Sequence, residues 1–245
     1  MQRVKAILSY DGTHFSGFQK QPNARTVQGE IERALQHIHK EAVKVYASGR
    51  TDASVHAIGQ VIHFDTPLSI PPERWPKAMN SHLPGDVYVH DVTFVPSNFH
   101  ARFDAVEKEY RYRILRGEGD VFRRHYTYQC PHPLNIAEMK RAARYFIGTH
   151  DFTSFCAANT EVEDMVRTVT VATFEEHDDE LVFICRGNGF LYNMVRIMVG
   201  TLLEVGQGKR KAEDIPDMIA GKDRSLAGKT APGRGLYLWH VQYEK

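Results

Sequence analysis

Residues Ser48 to Ala57 read Ser-Gly-Arg-Thr-Asp-Ala-Ser-Val-His-Ala, a run of hydrogen-bonding and charged side chains with neither helical nor strand period. On one side Val43 to Ala47 alternates as a strand does, and on the other so does Gln60 to Phe64. The run is therefore expected as a loop between two paired strands, the kind of rigidly held loop on which reactive groups are carried. Asp52 is the one carboxylate in it, a group able to act as nucleophile or base. Arg50 lies two residues earlier and projects from the same side if the backbone is extended, and Gly49 offers a bend with positive φ just before it. The ordinary alternative is that an Asp beside Ser and Thr forms a turn, its carboxylate accepting local N–H groups.

Two other stretches hold groups of interest. From Lys108 to Ile114, strand alternation sets Tyr110 and Tyr112 on one face and Arg111 and Arg113 on the other. Two tyrosines in that register also serve simply to pack a sheet. From Gly187 to Arg196 the chain runs Gly-Asn-Gly-Phe-Leu-Tyr-Asn-Met-Val-Arg; projected as a helix, Arg196 borders the apolar stripe, where its stem covers core and its head reaches water. The histidines offer no comparable cluster. His37 and His39 face differently on a helix, and His56 and His63 are separated by loop and strand, so no metal site is expected; nor is there a cofactor motif.

The elements that must position these groups follow from periodicity and punctuation. Arg3 to Tyr10 reads as a strand ended by Asp11-Gly12-Thr13. Thr26 can cap a helix with Val27, Ile31, Leu35 and Ile38 on one face. After the two strands around Asp52, Pro71-Pro72 opens a helical segment to about Leu83, restarted at Pro76, and Val87 to Phe94 is another strand. The order then begins again: a strand over Glu109 to Leu115, a helix capped by Asn135 with Glu138 and stopped by Gly148, and a hairpin of Arg167 to Glu175 with Leu181 to Arg186. An apolar helix through Leu191, Met194, Val195, Met198, Val199, Leu202 and Leu203, a short helix near Ala212 to Ala220 and a strand from Leu236 to Tyr243 complete it. Two copies of β-α-β-β-α-β predict an α+β protein of two tandem ferredoxin-like units with antiparallel sheets and a cleft between them, divided as 1–104 and 105–245. The RNA-recognition fold shares this topology, but its stacked aromatic pair is not found in the usual context.

With 245 residues, 42% hydrophobic and 25% charged, the chain has the composition of a soluble globular protein. Its net charge of +1 does not announce a polyanionic partner, so any such partner would rely on local patches. Basic residues do cluster, at Arg111, Arg113, Arg116, Arg123 and Arg124, at Lys140, Arg141 and Arg144, and at Lys209, Arg210 and Lys211. The 3 cysteines, Cys130, Cys156 and Cys185, suit neither a disulfide framework nor a zinc site. Met1 to Leu8 is too poor in apolar residues for a signal peptide, and the apolar segment Met194 to Val205 is cut by Arg196 and Glu204. No membrane association is expected, and the cytoplasm is the expected location.

Gly49-Arg-Thr-Asp-Ala-x-Val-His-Ala57 closely resembles the active-site signature of the tRNA pseudouridine synthase A family, departing from it at Ser54, where that family usually has Gly. The run around Tyr110 and the run Gly187 to Arg196 resemble two further family segments; Ala231 to Leu238 resembles another, with Gly233 where a second Pro is usual. The resemblance implies a tRNA pseudouridine synthase acting at positions 38 to 40 of the anticodon stem-loop, without a cofactor, as a homodimer. It implies that Asp52 is the catalytic carboxylate and that Arg196 meets it, keeping it ionised and oriented. Tyr110 matches the residue that stacks on the target base, replacing stacking lost when a nucleotide is flipped out, and Arg50 would help hold that nucleotide. The rival reading is a non-catalytic RNA-binding protein on the same fold; a glycosidase would need a second acid, which the loop lacks.

Overall fold

β1 (Gln2–Tyr10) buries every second side chain, Val4, Ala6, Leu8 and Tyr10, as a period of two requires. In the computed structural model, which describes residues 1–158 and 162–244, the chain divides into two units. One comprises Met1–Val106 with Tyr237–Lys245 and the other Glu107–Leu236.

In the first unit, α1 (Val27–His39) starts at Thr26, whose side chain accepts the Gly29 N–H as expected of the cap. β2 (Tyr46–Ala47) and β3 (His56–Thr66) flank the Asp52 loop and pair antiparallel. The helix expected from Pro71 is divided into a 3-10 turn at Pro72–Arg74 and α2 (Trp75–Asn80). Pro76 is tolerated because it falls in the first turn of α2, where its missing N–H costs no intrahelical bond. β4 (Val87–Val95) pairs antiparallel with β1, and β1 with β3, giving the order β4-β1-β3-β2. Phe64, opposite Val4, meets Trp75 edge-on with ring centroids 5.4 Å apart, so α2 covers the Val4 face of the sheet.

The second unit opens within β5 (Ala105–Arg116), at Glu107, and the short β6 (Tyr128–Cys130) pairs beside β5 in parallel. α3 (Ile136–Arg144) is capped by the Asn135 side chain, as its sequence predicts. β7 (Gly148–Asp151), β8 (Val166–His177) and β9 (Glu180–Gly187) follow, and the sheet runs β5-β9-β8-β7 with antiparallel neighbours. α4 (Met194–Gly206) is buried on nearly every side. A Cβ on Gly200 would lie 1.6 Å from the Lys229 carbonyl oxygen, and one on Gly206 2.5 Å from Met139 Sδ, so the 227–231 segment and α3 approach α4 as closely as glycine allows. α5 (Asp214–Gly221) and β10 (Leu236–Tyr243) complete the chain. Tyr237 and Leu238 of β10 pair in parallel with His56 and Ala57, which carries the end of the chain back to the first unit. Among the described residues no helix is long and apolar enough to cross a membrane, and Cys130, Cys156 and Cys185 are buried and form no disulfide.

Candidate active site

The Asp52 loop is held from beneath by one buried amide. Gln60 lies on β3 opposite Leu8, on the buried face, where an apolar residue would be expected. Its Oε1 accepts from Ser48 Oγ (2.7 Å) and from the Val61 N–H (3.1 Å). Its Nε2 donates to the Gly49 carbonyl (2.9 Å) and, at 3.4 Å, to the Tyr10 hydroxyl. The Tyr10 hydroxyl in turn shares a 2.7 Å hydrogen bond with Thr51 Oγ1. Burial, with a smaller push from the nearby charge of Asp52 and against the lowering by the Thr51 and Gln60 hydrogen bonds, holds the Tyr10 phenol up at about 12, so it stays protonated.

From the side, the 11–18 segment presses on the same loop. Phe18 N–H donates to the Thr51 carbonyl (2.9 Å) and Ser54 N–H to that of Phe15 (3.3 Å). A Cβ on Gly12 would fall 2.0 Å from the Val55 carbonyl oxygen, and Gly17 carries φ 102°, so both positions need glycine. Asp11 accepts from the Thr13 N–H (2.9 Å) and Thr13 Oγ1 (2.5 Å), which is the work of a cap. His56 Nδ1 accepts the Gly12 N–H (3.0 Å), and its ring stacks on Tyr237 with centroids 4.7 Å apart.

Asp52 itself is half-buried and Arg50 is exposed. The Val55 N–H returns to the Asp52 carbonyl (3.2 Å), closing a turn in which Ser54 has φ 62°. Positive φ at the third turn residue is the type II requirement that Gly meets most easily. The left-handed residue of this loop is thus Ser54, where Gly49 was expected to supply the bend.

In the second unit, Tyr110 is 8% exposed, pairs with Cys185 across β5 and β9, and meets Phe190 edge-on at 5.2 Å. Tyr112 shares its face and is fully buried; its hydroxyl donates to the Pro232 carbonyl (2.8 Å). Arg196, in the first turn of α4, donates from Nε to the Ala231 carbonyl (2.7 Å) and from Nη1 to Asn193 Oδ1 (2.6 Å), while its own carbonyl accepts the Ala231 N–H (3.0 Å). A guanidinium gripped at two nitrogens has its plane fixed, so its charge is presented in one direction. Arg50 and Asp52 therefore belong to the first unit, Tyr110 and Arg196 to the second.

The basic clusters are largely neutralised. Arg113 is held bidentately by Glu180 (2.8 Å each), and Glu109 accepts from Arg111 (2.6 Å) and Arg186 (2.7 Å). Arg123 meets Asp120, Asp179 and Glu180, Lys140 meets Glu176, Arg141 meets Glu138 and Glu213, and Arg210 meets Glu204. Sequence reasoning also missed Tyr10, Thr51 and Gln60; the available signal was a lone amide in line with Ile62 and Phe64, on the apolar face of a strand.

A loop-borne carboxylate on an α+β scaffold with a fixed guanidinium elsewhere in the chain defines a class of candidate carboxylate-dependent enzyme. Comparison with known proteins makes it particular. The family model described as tRNA pseudouridine synthase matches residues 6–104 and 142–244. The "tRNA pseudouridine synthase A" of Anoxybacillus flavithermus is 62% identical over 245 residues, covering 100% of both chains. That of a Geobacillus species is 58% identical, and "tRNA pseudouridine synthase A 1" of Bacillus cereus 57% identical, each with 99% of both chains covered. The chain belongs to the tRNA pseudouridine synthase family.

Proposed function

We propose that this protein isomerises uridine to pseudouridine in the anticodon stem-loop of tRNA, at positions 38 to 40, with Asp52 as the catalytic carboxylate. The observation that carries the reading is that full-length relatives at 57–62% identity are named tRNA pseudouridine synthase A. The loop geometry supports it, since the loop that carries the half-buried Asp52 is tied to β3 and β1 by hydrogen bonds at Gly49 and Thr51. The reaction balances within the nucleotide: the C1′–N1 bond breaks, the base turns, C1′ joins C5, the C5 proton leaves and N1 takes one up. Asp52 serves either by attack at C1′, by addition to C6 or by removal of a C2′ proton, the three routes open to a carboxylate there.

Arg196 is assigned the ion-pair partner of Asp52, as the family signature implies, and the fixed plane of its guanidinium supports that role. Tyr110 is assigned to stack on uracil, and Arg50 to hold the flipped nucleotide. The reading includes a homodimer working on tRNA in the cytoplasm, built from tandem ferredoxin-like units divided near residue 105. The antiparallel order β4-β1-β3-β2 supports that architecture for the first unit. The test is release of tritium from tRNA carrying uridine labelled at C5. Stoichiometric release confirms the reaction, and tRNA binding without release would identify a non-catalytic RNA-binding protein.

A further inference from the structure

We infer that Tyr10, Thr51 and Gln60 form a positioning device for Asp52, setting the carboxylate for the chemical step without touching the substrate. The inference rests on the reading of Asp52 as the catalytic group. All four hydrogen-bonding capacities of the Gln60 amide are used, two donors on Gly49 O and Tyr10 Oη and two acceptors for Ser48 Oγ and Val61 N. The amide orientation is set by this network, because a flipped amide would face the Gly49 carbonyl with its own oxygen. Gln60, Ser48 and Tyr10 are 0%, 0% and 4% exposed, and Thr51 6%. Water therefore does not compete for these bonds, and each holds a donor or acceptor that would otherwise be buried unsatisfied.

The device grips the loop on both sides of Arg50, at Gly49 and at Thr51, the residue immediately before Asp52. Phe18 N–H holds the Thr51 carbonyl as well, so Thr51 is fixed by backbone and side chain together. Released at its side chain, Thr51 lets the following carboxylate shift, and a misplacement of about 1 Å at a reacting group costs on the order of 100-fold in rate. Affinity for tRNA is supplied by phosphate contacts elsewhere and does not depend on this bond.

The test compares Tyr10→Phe, Thr51→Val, their double variant, Thr51→Ser and Asp52→Asn in single-turnover and steady-state tritium release. Phe and Val keep the ring and the branched shape and delete only the hydroxyls. The expected result is a kcat at least about tenfold lower in each of the first two, with KM for tRNA within about twofold. The double variant is expected to be no worse than the poorer single variant, because both remove the same bond. Thr51→Ser, which restores the hydroxyl, is expected to recover most of kcat. Full kcat in Tyr10→Phe and Thr51→Val alongside an inactive Asp52→Asn overturns the inference, as do losses confined to KM or losses that multiply in the double variant. An active Asp52→Asn overturns the assignment of Asp52 itself.

Discussion

The Val55 N–H donates to the Asp52 carbonyl at 3.2 Å, and the turn so closed forces Ser54 to φ 62°. A left-handed conformation costs an ordinary L-residue about 1–2 kcal/mol. Glycine would relieve it, losing about 0.4–1 kcal/mol of that gain to its greater freedom when unfolded. Ser54→Gly is therefore expected to raise stability by up to about 1 kcal/mol and to keep activity. Ser54→Val, β-branched at positive φ, is expected to lower both. Thermal melts with parallel tritium release check this; a destabilised Gly variant would show that the Ser54 side chain contributes more than its backbone costs.

Much of this was legible from periodicity. β1, α1, β4, α3 and the β8/β9 hairpin lie where alternation and caps put them, because each is long enough to show its period or carries a capping side chain. β6 and β7, of 3 and 4 residues, are too short to show one. The neutralisation of the basic clusters was hidden for a different reason. Arg123 finds Asp179 and Glu180 only through the fold, 56 and 57 residues away along the chain, as Arg141 finds Glu213. Asp52 and Arg50 were visible as a motif, whereas Gln60 was hidden in a strand whose pattern reads as core.

That neutralisation bears on tRNA binding. Affinity is expected to fall steeply between about 50 and 200 mM salt, as phosphate contacts release counterions. Arg123 already meets three carboxylates, so Arg123→Gln is expected to leave the salt slope almost unchanged. A slope reduced by about 1 in filter-binding titrations would instead make Arg123 a phosphate contact.

Tyr110 should act through its ring. Its edge-on contact with Phe190 holds the ring in place, and Tyr110→Phe keeps that contact while Tyr110→Ala loses it. The Ala variant is expected to lose roughly 1–3 kcal/mol of base placement, read as kcat/KM, and the Phe variant much less. Equal losses would show that the hydroxyl matters as much as the ring.

His63 should make the protein sensitive to acid. Burial, with help from the neighbouring His100 and Arg3 charges, lowers its pKa to about 4, and its Nδ1 accepts the Ala101 N–H (3.1 Å). Between pH 6.5 and 4 the unfolded chain binds the proton that the folded one excludes, so stability falls as pH falls through this window. At pH 5 the loss relative to neutral pH is expected to be about 2 kcal/mol from this group. Urea denaturation of parent and His63→Gln at pH 7 and pH 5 checks it: the parent should lose more on acidification, and equal losses would remove His63 as the cause.

The assignment of Asp52 is tested most directly by Asp52→Asn, which keeps volume and shape but removes the anionic oxygen. Folding and tRNA affinity are expected to survive, since the loop is held by Tyr10, Thr51 and Gln60 and the affinity by phosphates. Single-turnover tritium release from C5-labelled tRNA is expected to fall by at least about 10⁴-fold, roughly 5.4 kcal/mol of barrier. A variant that folds, binds tRNA and releases tritium within about tenfold of the parent rate, roughly 1.4 kcal/mol, would contradict Asp52 as the catalytic carboxylate.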